Sequence, residues 1–165
     1  MKILIAIDDH HYADLLADFI EQHSWADNSV FRVIHVLWAP REQSASAALR
    51  EAVEQDMERA TELMTDMCQR LSQKFPKCQF ESLILEGKPA ERILEMSKAW
   101  PADVLIVGNR ARRGLPLFFL GSVSSALVHA ASCSVFVVKD KQALEKSTKS
   151  TANKKADKAL TKTLN

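Results

Sequence analysis

Three short runs of almost purely apolar, largely β-branched residues, at positions 3–7, 104–107 and 135–138, constrain this chain more than any other feature. A strand with one wet face alternates apolar and polar residues, whereas unbroken runs of this length suit strands covered on both faces in a parallel sheet. Residues 30–38 (Val30, Phe31, Val33, Ile34, Val36, Leu37) and 79–85 (Phe80, Leu83, Ile84, Leu85) add two more candidate strands. The segments between them carry helical spacing. In 11–23, Leu15, Leu16, Phe19 and Ile20 recur at three and four positions. In 44–74, Leu49, Val53, Met57, Ala60, Leu63, Met64, Met67 and Leu71 form one apolar stripe, which core packing explains better than a metal or cofactor box. A third helix is expected at about 88–99, with Pro89 in its first turn, where a missing N–H costs nothing, and a fourth at about 122–131.

Strict alternation of strand and helix predicts an α/β fold: an open five-stranded parallel sheet, order 3-2-1-4-5, with helices on both faces. Ligands of such sheets bind beyond the carboxyl ends of the strands where the winding reverses, here between the first and fourth strands. That selects Asp8, Asp9 and the stretch from Gly108 onward.

The chain has 165 residues, 47% of them hydrophobic, enough for one core. Its opening apolar run is too short for a signal peptide or membrane span, so a cytoplasmic location is expected. Cys68, Cys78 and Cys133 are odd in number and lack C-x-x-C spacing, which indicates neither a disulfide framework nor a zinc site. Seven lysines against Glu145 and Asp157 give residues 141–165 a charge of +5, and since the whole chain carries +1, residues 1–140 carry −4. A mildly acidic body offers no broad nucleic-acid footprint. The expected organisation is one α/β domain over 1–140 and a Lys-rich tail over 141–165, too poor in large apolar residues to offset its ordering entropy.

The stretch after the fourth strand carries the candidate chemistry. Gly108-Asn109-Arg110-Ala111-Arg112-Arg113-Gly114 is followed by Gly121-Ser122-Val123 at the start of the last helix. A glycine at a strand end permits close backbone approach, and a Gly-Ser helix start presents N–H groups and a hydroxyl to an anion. The plainer reading is that Gly108 turns the chain and Ser122 caps its helix. Three arginines in the loop suit an anionic ligand, or solvent.

From Gly108 to Lys139 the chain resembles the C-terminal signature of universal stress proteins, G-x2-G-x9-G-[S/T] followed by a helix and a hydrophobic last strand. Gly108, Gly121 and Ser122 fall on the motif, and Ile7-Asp8 and His35-Val36 match the ends of the first two strands. The resemblance implies a Rossmann-like, adenine-nucleotide hydrolase-like fold and a stress-response module that binds ATP or AMP, with Mg2+ as an optional companion. The implied ligand-contacting positions are Asp8, Val36, Val107, Gly108, Arg110, Ala111, Gly121, Ser122 and Val123. The sequence departs from the motif at Ala111, where the second glycine is expected, and at Asp9-His10-His11, where a small Ser-containing turn is usual. The resemblance also implies a homodimer through the last strand, Val135, Phe136, Val137 and Val138, and leaves a further protein partner unspecified. A ligand-free homodimer acting through protein contacts is the alternative, which Ala111 favours.

No catalytic residue is assigned, since no general base accompanies the loop and neither a nucleophile elbow, H-E-x-x-H nor a Walker motif occurs. No metal site is assigned either: His10 and His11 are adjacent and point apart, with no second ligand cluster. The paired acids Asp8 and Asp9 also occur in phosphoacceptor receiver domains, but the third strand ends Leu85-Glu86-Gly87 with no acceptor aspartate.

Overall fold

The computed structural model describes residues 1–37, 47–110 and 120–140. The expectations about Ala111, Arg112, Arg113 and the Lys-rich tail lie outside those residues. The elements are β1 (Lys2–Ile7), α1 (His10–Glu21), β2 (Val30–Leu37), α2 (Ala47–Lys74), β3 (Gln79–Glu86), α3 (Pro89–Ala99), β4 (Val104–Gly108), α4 (Ser122–Ala130) and β5 (Ser134–Val138). All strand pairs are parallel and the order is β3-β2-β1-β4-β5, as the alternation of elements predicts.

The apolar runs behave as two-faced strands because each face has its own helix layer. Ile3, Ile5, Ile7, Phe31, Val33, Val104 and Ile106 pack under α1 and α2, against Leu16, Ile20, Met64, Met67 and Leu71. The alternate residues Leu4, Ile34, Leu85, Leu105 and Val107 pack under α3 and α4, against Ile93 and Leu127. Period-two alternation thus divides one apolar run between two cores. Arg70 ties α2 to α1 at the surface, donating through Nε to Glu21 Oε1 at 2.8 Å and through Nη2 to Asp18 Oδ1 at 2.5 Å.

The α2 stripe needs correction at its start. Ala60, Leu63, Met64, Met67 and Leu71 are buried, but Met57 is 47% exposed and Leu49 and Val53 are half-buried. A helix of 28 residues is about 42 Å long, while the eight-residue β2 and β3 beneath it run only about 26 Å. The first turns of α2 therefore extend past the described sheet, and the apolar period continues where none of the described strands lies beneath it. Pro89 opens α3 after Lys88 at the N-cap. Among the described residues no helix is long and apolar enough to cross a membrane.

The exposure difference along α2 predicts unequal mutational costs. Leu71→Ala should destabilise by about 2–5 kcal/mol, whereas Met57→Ala should stay within about 0.5 kcal/mol of wild type. Urea unfolding midpoints of the two variants test this.

Candidate functional site

The register places the carboxyl ends of β1 and β4 side by side. Ala6 pairs with Val107 and Ile7 with His35, so Asp8, the end of β2 and Gly108 surround one crevice. On one side of β1 the sheet continues through β2 to β3, and on the other through β4 to β5. β1 is followed by α1 on one face of the sheet and β4 by α4 on the other, which makes the pair β1/β4 the switch point at which ligands of such sheets bind.

Asn109 builds the far wall of this crevice, and it was not singled out by the sequence. It is 6% exposed. Its Oδ1 accepts the Gly121 N–H at 2.9 Å and lies 3.3 Å from the Ser124 hydroxyl. Its own N–H donates to Val138 O at 2.8 Å, and its carbonyl accepts the Tyr12 hydroxyl at 2.7 Å. One buried amide thus joins the end of β4 to the start of α4 across twelve positions of sequence, and its backbone fastens the same point to β5 and α1. The only signal available earlier was a polar residue directly after a buried strand.

At α4 the N-cap is Gly121, with φ −60° and ψ 161°, and Ser122 is the first helical residue. The expectation that Ser122 caps the helix is therefore corrected: the cap position has no side chain, and the Ser124 hydroxyl, 3.1 Å from Gly121 O, folds back on the turn instead. Gly121 N–H is engaged by Asn109, and since Ser125 N–H makes the first intrahelical bond, to Gly121 O, the N–H groups of Ser122, Val123 and Ser124 are those without an intrahelical acceptor. Ser122 is exposed, while Val123 and Val36 are half-buried against the core on the α3/α4 face and Val107 is 3% exposed within it. Only backbone atoms of Val107 face the strand exits.

Gly108 has a reason for being glycine besides the expected ligand approach. A Cβ there would stand 2.3 Å from Tyr12 Cδ1, and at Gly121 it would meet Arg110 O at 2.9 Å. The Tyr12 ring fills the space a methyl would need, which lets its hydroxyl reach Asn109. Tyr12 is placed in turn by Asp9, the N-cap of α1, whose Oδ1 accepts the Tyr12 N–H at 3.0 Å.

Arg110 also departs from expectation. Its guanidinium crosses the crevice and donates to Asp8 Oδ2 at 3.0 Å and to Asp9 Oδ2 at 3.1 Å. Asp8 titrates above the ordinary carboxylate value: partial burial raises it first and the Asp9 charge next, against the opposing pull of Arg110 and His35. His35 is held below its ordinary value by burial, against the opposing pull of the Ile7 carbonyl, which lies 3.1 Å from its Nδ1. His129 makes the corresponding contact to Ser125 O at 2.7 Å. His10 and His11 diverge, His11 Nε2 lying 2.8 Å from Asp140 Oδ2. Among the described residues no three His, Cys, Asp or Glu side chains gather as a metal set. The cysteines are half-buried free thiols, and burial pushes Cys68 up to about 11, which suppresses thiolate chemistry.

A doubly wound parallel sheet with a polar crevice at its switch point defines the class of this protein as an α/β domain of Rossmann-like architecture. Residues 1–139 match the universal stress protein family, and the chain belongs to it. Universal stress protein Sll1388 of Synechocystis is 33% identical over 93 residues, covering 56% of this chain and 59% of that protein. The match therefore spans less than two thirds of that relative. A universal stress protein of Thermus aquaticus is 27% identical over 137 residues, 83% of this chain and 97% of the relative. Among solved structures, a family protein of Arabidopsis thaliana with AMP bound superposes with a TM-score of 0.62 at 19% identity, covering 86% of this chain and 92% of that one.

Two outcomes test this geometry. Gly108→Ala should destabilise by about 1–3 kcal/mol through overpacking against Tyr12, and adding Tyr12→Ala should make the methyl at 108 nearly neutral in a double-mutant cycle read by denaturant unfolding. For Asp8, a carboxyl whose folded-state value is raised weakens the fold while ionised, and that cost disappears as pH falls through the folded value toward the unfolded one. Asp8→Asn should therefore raise the melting temperature at pH 7, with the gain fading in acid; thermal melts from pH 3 to 7 read it.

Proposed function

We propose that this protein is a cytoplasmic stress-response module that holds an adenine nucleotide, ATP or AMP, at the β1/β4 switch point as a regulatory ligand. The observation carrying this reading is the Asn109 clamp, which fixes the N-terminus of α4 facing the crevice that Asp8 borders. The N–H groups of Ser122 and Val123 and the positive end of the helix dipole suit a phosphate. Asp8 and the backbone near Val36, Val107 and Gly108 suit the nucleoside. A carboxylate kept ionised at a cost in stability is a common property of functional sites. The AMP in the Arabidopsis relative supports the choice of ligand class, and Mg2+ would accompany a triphosphate.

Isothermal titration with ATP and Mg2+ tests the proposal. Saturable binding is expected in the wild type and a loss of at least about tenfold in Ser122→Asp, since a carboxylate there competes with phosphate while the helix dipole favours the fold. Absence of binding up to millimolar ATP in the folded wild type would refute the nucleotide reading.

A second reading, a homodimer through β5, is favoured by a separate observation. β5 is an outer strand of the sheet, and Phe136 is 43% exposed beside Phe19, at a ring-centroid distance of 5.7 Å. Exposed strand edges tend to pair, and a twofold contact of Val135, Phe136, Val137 and Val138 with their copies would cover this one. Sedimentation velocity should give a dimer that Phe136→Glu shifts to monomer, and a wild-type monomer would end this reading.

A further inference from the structure

Arg110 occupies a position that any anion entering the crevice must contend with. It leaves the end of β4, crosses to the end of β1 and engages both Asp8 and Asp9, residues 102 and 101 positions away. The bridge is exposed: the Arg110 side chain is 67% accessible, Asp8 46% and Asp9 36%. Exposed ion pairs of this kind are weak and screened, whereas a guanidinium facing a phosphate makes a stronger, charge-assisted and often bidentate pair. Asp9 is already engaged at Oδ1 as the N-cap of α1, so only Oδ2 is committed to Arg110. The charged and titratable groups around Asp8 are Asp9, Arg110 and His35, with the Tyr12 hydroxyl close by. If Arg110 leaves, two adjacent carboxylates lose their shared counter-charge.

We propose that the Asp8–Arg110–Asp9 bridge is a charge-exchange latch across the crevice, released when Arg110 transfers from the two aspartates to the phosphate of an incoming nucleotide. The proposal rests on the nucleotide reading above and adds its regulation. The latch makes the site selective for ligands that bring an anion: adenosine has nothing to offer Arg110 and leaves the bridge closed, whereas a nucleotide exchanges one counter-ion for another. Asp9 sets the threshold, because it competes with phosphate for the same guanidinium.

The test is titration of ATP and of adenosine into wild type, Asp9→Asn, Arg110→Gln and the double variant. Asn is as good an N-cap as Asp, so Asp9→Asn removes the charge without removing the cap. The latch predicts that Asp9→Asn tightens ATP at least about threefold and leaves adenosine within about twofold, and that Arg110→Gln weakens ATP at least about tenfold. In the Arg110→Gln background, Asp9→Asn should give no gain. Equal tightening with and without Arg110 overturns the latch, since Asp9 then acts by repelling phosphate directly. Wild-type ATP binding that is indifferent to Asp9→Asn overturns the latch and leaves the nucleotide reading standing, whereas absence of ATP binding in all four proteins removes both.

Discussion

The burial of both faces of β1 and β4 is the constraint on which the rest of this structure depends. Ile3, Leu4, Ile5, Leu105 and Ile106 have no exposed surface, and a strand can reach that state only with a helix layer above and below it. Parallel strands need crossover helices, and placing α1 and α2 on one face and α3 and α4 on the other forces the chain to reverse its direction of travel across the sheet at β1. The crevice at the exits of β1 and β4 is a consequence of that reversal. Core packing therefore places the exits of β1 and β4 side by side.

What converts a gap into a defined surface is a polar network seated on that core. Asn109 satisfies its buried side-chain oxygen on the Gly121 N–H and the Ser124 hydroxyl, and the same residue is tied by its backbone to Val138 and Tyr12. Buried amides are costly unless paired, so a network with these partners specifies one arrangement of the loop ends. Gly108 belongs to the network by subtraction, because a side chain there would displace the Tyr12 ring. Asn109 and Gly121 are thus fixed to each other.

The electrostatics of the crevice oppose the economy of the core. Two successive aspartates leave β1 at one point, and the burial and mutual repulsion that raise Asp8 work against the folded state at neutral pH. Arg110 relieves this from across the crevice, and His35, whose ring lies against the Ile7 carbonyl, opposes it as well. A charge arrangement that costs stability and is relieved by the exposed Arg110 guanidinium is, on the proposal above, one that a competing anion rearranges.

The sequence by itself determined the elements and their order. Apolar runs and helical periods are local, repeat many times and leave few topologies once crossovers are restricted, so the 3-2-1-4-5 sheet and its switch point followed from position alone. The resemblance to the universal stress protein signature, met at Gly108, Gly121 and Ser122 but not at Ala111, marked the loop and the start of α4. Tertiary structure decided the roles within the loop. Tyr12 meets Asn109 across 97 residues of sequence, and Arg110 meets Asp8 across 102; no periodicity encodes such pairs, so Gly108 read as ligand clearance or a plain turn and Arg110 as a loop cation for an anionic ligand or for solvent. The α2 stripe shows the converse limit, since a period states which face of a helix is apolar but not where the sheet beneath it ends. Local patterns fix secondary structure because they act through neighbouring residues. The partners of single polar side chains depend on how distant segments approach, which only the packed chain settles.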